Sequence, residues 1–191
     1  KIFEDDEEKK EYWTLEKKRN SGHLNIQNIE IFLFCFAVVK DFFSHKRGDV
    51  LSKLTKCYKT ALEKLNSEAE CKEFINELVA YAKIYKKNFP ILSEENNFNF
   101  EDYKMRLFKI LDSQGITSYH PYILYLFEKH QDDESELKTA LCEVERFIVK
   151  TTIIGNTKSS GLNCEDFVKI AKILVGIVIF RFRWYNNRRK R

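Results

Sequence analysis

Residues 116–155 read ITSYHPYILYLFEKHQDDESELKTALCEVERFIVKTTIIG, and the punctuation of this stretch decides the fold class. Pro121 suits a first helical turn, where its missing N–H and fixed φ carry no penalty. Behind it, Tyr122, Ile123, Leu126 and Phe127 fall on a shared apolar face. Asp132 and Asp133, followed by Glu136, form a capping signature for a new helix. Leu137, Ala140, Leu141, Val144, Phe147 and Ile148 then recur at the helical period of about 3.6 residues. Gly155 ends that helix, and the polar loop 156–161 follows. The stretch is therefore a pair of helices joined by a sharp turn.

The same pattern extends outward. Residues 29–43 (IEIFLFCFAVVKDFF) are apolar almost all round, which predicts a buried helix at the centre of the core, with Phe36 deep inside. The run is too short, and with Glu30, Lys40 and Asp41 too charged, to span a bilayer. Arg47-Gly48-Asp49 behind it reads as a loop with a helix-starting aspartate. Leu51, Leu54, Tyr58, Ala61, Leu62 and Leu65 mark one helix face. Ser67 with Glu70 forms a capping box for the next helix, carrying Phe74, Leu78, Tyr81, Ala82 and Tyr85. Pro90 stops it at the preceding residue. Asn99 caps a helix holding Tyr103, Leu107, Ile110 and Leu111, ended by Gln114-Gly115. Asn163 with Asp166 caps a last helix with Phe167, Ile170, Ala171 and Leu174. Residues 1–19 form a charged helical lead-in anchored by Tyr12, Trp13 and Leu15. Residues 173–180 (ILVGIVIF) fit a short strand, a buried helix end or a truncated stub.

With 191 residues and 43% hydrophobic content the chain can bury a core without disulfides. Six glycines and two prolines argue for long helices and few turns. The five cysteines (35, 57, 71, 142 and 164) have no C-x-x-C spacing and sit in apolar helical patterns, which reads as reduced thiols in a cytoplasmic protein. No repeat with a period of about 20–50 residues is present. The chain opens on Lys1 and its one methionine is Met105, so the sequence is expected to be a piece of a longer protein. Arg181, Arg183, Arg188, Arg189, Lys190 and Arg191 carry more positive charge than the whole chain's net of +4, which leaves the body slightly acidic. Broad electrostatic attraction to nucleic acid is not expected of that body.

Catalytic patterns are missing from the sequence. His23, His45, His120 and His130 form no H-x-x-x-H or H-E-x-x-H, and none pairs with cysteine at zinc spacing. His130 with Asp132 and Asp133 reads as a solvated turn rather than a metal site, and His120 as part of a helix start. No glycine-rich phosphate loop, G-x-S-x-G or Cys/His nucleophile pattern occurs. No catalytic residue, cofactor or metal is assigned. Two basic features remain. Lys150 and Lys158 either complement a helix C-terminal dipole or contact phosphates. The tail basics, with Trp184 and Tyr185 between them, either solubilise an end or hold phosphates and stack bases.

Tyr119, Pro121, Ile123 and Leu124, then Glu145, Phe147, Ile148 and Lys150, then Ile153, Gly155, Thr157 and Lys158 also carry a resemblance. The spacing resembles the helical region of GmrSD-type proteins, modification-dependent restriction endonucleases and their relatives in bacterial phage defence. Trp13 and Glu16 fit the place where a tryptophan and an acidic residue open that region. A departure stands at Lys150 and Thr151, where the family often has paired arginines and this chain has one basic residue. In such proteins the helical part lies between a ParB-like nucleotide-hydrolysing domain and, in many, an HNH-type nuclease domain. The Asp-Gly-Gln-Arg-type motif of the first and the His-x-x-Pro-type motif of the second are absent from this sequence.

These observations predict an all-α, multi-helix bundle of seven or eight helices with antiparallel neighbours and short loops. Residues 1–176 are expected to form a single helical domain, followed by an apolar then basic tail, 177–191. The resemblance implies a non-catalytic module of a cytoplasmic restriction or phage-defence protein whose parent is a nuclease or nucleotidase. Its implied partners are DNA and the parent's other domains, with no membrane. The candidate nucleic-acid contacts are Lys150, Lys158, Arg181, Arg183, Arg188, Arg189, Lys190 and Arg191. The alternative is a helical protein–protein interaction module with no nucleic-acid role.

Overall fold

The apolar run beginning at Ile29 folds as α1, Asn28–Val39, in the computed structural model, which describes residues 7, 9–17, 26–44, 51–92, 99–150 and 168. Glu30 accepts the Gln27 backbone N–H at 2.9 Å and closes the helix start. Ile31, Phe32, Cys35, Phe36, Ala37, Val38 and Val39 are all buried, with Phe36 at 0% exposure, as a helix without a polar face must be. The helix stops short of the predicted Phe43. Asp41 has φ 63, its N–H donates to the Val38 carbonyl at 3.1 Å, and the Phe42 N–H donates to the Ala37 carbonyl at 3.1 Å. That is a Schellman ending with aspartate in the place usually held by glycine.

The first compact unit, Lys1–Ile91, is built around α1. The predicted helical lead-in is only partly helical: a π-helical turn, Lys9–Trp13, leads into β1, Glu16–Lys17. β1 pairs antiparallel with β2, Ile26–Gln27, Lys17 opposite Ile26. Burial of Tyr12 and Trp13 explains the bend, because Asn28 donates its Nδ2 to the Tyr12 carbonyl at 3.3 Å and fixes the segment against α1. A 3₁₀ turn, Leu51–Lys53, enters α2, Leu54–Leu62. α3, Glu68–Asn88, follows. Tyr58 of α2 donates its hydroxyl to the Leu33 carbonyl at 2.9 Å, and Lys40 pairs with Glu77 of α3 at 2.6 Å. Phe36 meets Phe74 and Tyr81 edge-on at 5.7 and 5.5 Å between ring centroids. Ser67 caps α3 by accepting the Glu70 N–H at 3.2 Å, but the Glu70 carboxylate returns to the Asn66 N–H at 2.6 Å rather than to Ser67. α3 ends at extended Phe89, the residue before Pro90.

The second unit, Leu92–Arg191, contains α4, Tyr103–Ser113, α5, His120–Lys129, and α6, Glu134–Ile148. Asp102 caps α4, accepting the Met105 N–H at 3.0 Å. The predicted cap, Asn99, instead accepts the Glu101 N–H at 3.0 Å and turns the chain just ahead of it. Gly115 (φ 59) ends α4, with the Ile116 N–H donating to the Leu111 carbonyl at 2.8 Å. α5 differs from the one-faced reading: every residue from His120 to Phe127 is buried, which makes it the inner helix of this unit. α6 packs against both α4 and α5 through Leu137, Leu141, Val144, Phe147 and Ile148. Of the helix expected after Asn163, Val168 alone is described, helical and buried. The predicted boundary at residue 176, and the end of α6 at Gly155, lie outside the described residues.

The fold is an all-α multi-helix bundle, interrupted among the described residues only by the two-residue ladder of β1 and β2. Among the same residues, no helix is long and apolar enough to cross a membrane.

Candidate functional site

Of the residues that carry the sequence pattern, those described from Tyr119 to Lys150 lie in the second unit. Pro121 sits in the first turn of α5, and Tyr119, at its N-cap, is buried. The Tyr119 ring meets Phe147 of α6 at 6.5 Å, steeply inclined. Ile123, Leu124 and Ile148 are buried beside them. Most of the described pattern residues are therefore packing residues, and among them Lys150, just past the end of α6, is the one that is exposed. Arg146, one turn earlier, is also exposed and is paired with Glu143. Lys158, Arg181, Arg183, Arg188, Arg189, Lys190 and Arg191 lie outside the described residues.

Glu145 points the other way, toward α4. Its Oε1 accepts from the Arg106 Nε at 2.7 Å, and both side chains are largely covered, at 17% and 16% exposure. The hydrogen bond to Glu145 raises the Arg106 guanidinium further above its ordinary range, so the arginine is charged at every working pH. Arg106 also donates Nη1 to the Phe100 carbonyl, and its guanidinium lies 5.0 Å from the Phe100 ring centre. One arginine thus ties the approach to α4 and α4 itself to α6. Sequence reasoning missed this clamp. A signal was present, because Arg106 is the lone arginine between Arg47 and Arg146 in a lysine-rich stretch.

The α5–α6 turn is structural. Asp133 accepts the Glu136 N–H at 2.9 Å, and the Glu136 carboxylate lies 3.1 Å from His130 Nδ1 rather than on the Asp133 backbone. Tyr103 donates its hydroxyl to Glu134 at the start of α6, and Lys104 stands 3.2 Å from the same carboxylate. Burial, and then the Glu134 carboxylate, push the Tyr103 phenol up. Among the described residues, no group of three or more His, Cys, Asp or Glu side chains is placed to hold a metal ion. His120 stands at the start of α5, as read from the sequence, and is buried with its ring 6.1 Å from that of Phe108. Cys35, Cys57, Cys71 and Cys142 are free thiols.

Comparison with protein-family models, with curated proteins and with solved structures returned no match.

Proposed function

We propose that the chain is a non-catalytic helical module of a GmrSD-like restriction or phage-defence protein, working in the cytoplasm, where it joins the parent's domains and helps position DNA. The observation that carries the reading is the meeting of Tyr119 with Phe147. The two separated parts of the sequence pattern share one core, and Lys150 is exposed just past the end of α6. In this reading the parent's flanking domains perform the nuclease or nucleotidase chemistry. This chain supplies a spacer and phosphate contacts through Lys150, Lys158 and the basic tail.

One observation favours the alternative, a protein–protein interaction module. Leu62 and Ile75, on the helices of the first unit, are 46% and 55% exposed. The test is to offer the purified chain labelled duplex DNA at low salt and, separately, to assay metal-dependent DNA cleavage and nucleotide hydrolysis. Binding without either activity supports the proposal. Cleavage abolished by a point change within the chain would overturn its non-catalytic part. Absence of binding at low salt would favour the interaction module.

A further inference from the structure

The near-neutral total charge of the body conceals a one-sided distribution on α2. Residues 51–65 carry Lys53, Lys56, Lys59 and Lys64 against a single acid, Glu63. The inward side of this helix packs on α1. Leu54 is buried and the Tyr58 hydroxyl is bonded to the Leu33 carbonyl on α1. Lys53, Lys56 and Lys59 follow at spacings of three on the opposite, exposed side. Ser52, Thr55 and Thr60 are exposed among them and add hydroxyl donors.

Two other lysines of the same unit are neutralised by ion pairs. Lys40 pairs with Glu77 at 2.6 Å and Lys72 with Glu68 at 2.7 Å. Among the described residues, Lys53, Lys56 and Lys59 hold no such partner. Unpaired lysines within two helical turns repel one another, and a polyanion that meets all three at once relieves that repulsion. A membrane-seeking helix would also offer a continuous apolar face to the lipid, and on α2 Leu54 is buried and Leu62 is the one large aliphatic side chain left exposed.

We infer that the solvent face of α2, built on Lys53, Lys56 and Lys59, is a contact surface for the sugar–phosphate backbone of nucleic acid, additional to the tail and Lys150. It rests on the reading that this chain meets DNA, and it places part of that contact in the first unit. The contact is with phosphates, so it positions the duplex without reading its sequence.

The test uses the whole chain, a fluorescein-labelled DNA duplex and two variants: Lys53→Gln/Lys56→Gln/Lys59→Gln, and the same positions changed to Arg. Glutamine and arginine both favour helix, and the melting temperature and far-ultraviolet circular dichroism confirm folding. The glutamine variant is expected to bind more weakly, with a slope of log K against log salt shallower by about 0.9 for each duplex phosphate it no longer neutralises. The arginine variant is expected to keep the parent's slope. If the glutamine variant binds as the parent does while tail replacement weakens binding, the α2 surface is wrong and the proposed function stands. If the parent chain fails to bind duplex at low salt, the DNA reading itself is wrong. If it binds phosphatidylserine vesicles but not duplex, the anionic partner is a membrane and the inference is overturned.

Discussion

Removing the Arg106 guanidinium should loosen the second unit more than any exposed substitution. The pair it forms with Glu145 is short, 2.7 Å, and each side chain keeps only about one-sixth of its exposure. Breaking a buried ion pair by deleting one partner costs about 3–5 kcal/mol, because the other charge is left in a poor environment. The pair is only part-buried, which places Arg106→Met below that range, at about 2 kcal/mol. Glu145→Gln leaves the arginine able to turn its donors to the Phe100 carbonyl and to solvent, so it should cost about 1–2 kcal/mol. The double variant should cost less than the sum, with a coupling of about 1–3 kcal/mol. Native-state amide exchange read separately on peptides of α4 and α6 gives the opening free energies, and it isolates the unit that holds the pair. Additive effects, or an Arg106→Met cost below about 0.5 kcal/mol, the level of an ordinary surface change, would refute the clamp.

Phe36, fully buried among Phe74, Tyr81 and other rings, should cost about 3–5 kcal/mol on change to alanine, and urea unfolding should separate it clearly from exposed Lys83→Ala. Equal midpoints would move the core elsewhere. Asp41 occupies a left-handed conformation, so Asp41→Gly should hold or raise the melting temperature while Asp41→Val lowers it by the equivalent of about 1–2 kcal/mol. Burial holds the phenols of Tyr12, Tyr58, Tyr85 and Tyr122 above their ordinary value. Their folded pKa values are raised, so the stability they contribute is complete below about pH 10, the unfolded value, and is lost as pH rises above it. An ultraviolet titration should show these phenols ionising only as the chain unfolds in alkali, and smooth ionisation of all nine tyrosines near pH 10 in folded protein would contradict this.

Where the sequence was legible, local chemistry decided the structure. α1 could be read because almost no polar residue interrupts residues 29–39, and α4 could be ended at Gly115 because a glycine fits the left-handed position. The end of α1 was missed for the converse reason, since Asp41 takes that conformation without a glycine to announce it. α5 was read as one-faced because periodicity placed Tyr122, Ile123, Leu126 and Phe127 on one side, yet His120, Leu124 and Tyr125 are buried as well. Capping was half legible. Ser67 and Asp133 accept the expected N–H groups, but the glutamates that should have returned to those caps bond to Asn66 and face His130. Of the candidate site, the exposure of Lys150 follows from its place past the apolar stripe of α6. The Arg106–Glu145 clamp joins residues 39 positions apart, beyond the reach of periodicity.

The salt dependence of duplex binding tests the central claim most directly. Labelled DNA is titrated with the chain, and with a variant whose Arg188, Arg189, Lys190 and Arg191 are replaced by alanine, at two salt concentrations. The account predicts that the parent binds at low salt and that the tail variant binds more weakly, to a similar degree across DNA sequences. Its salt slope should be shallower by about 0.9 for each duplex phosphate that the tail no longer neutralises. Lys150→Ala should produce a smaller shift in the same direction. No binding by the parent chain at low salt, or identical slopes for parent and tail variant, would contradict the account.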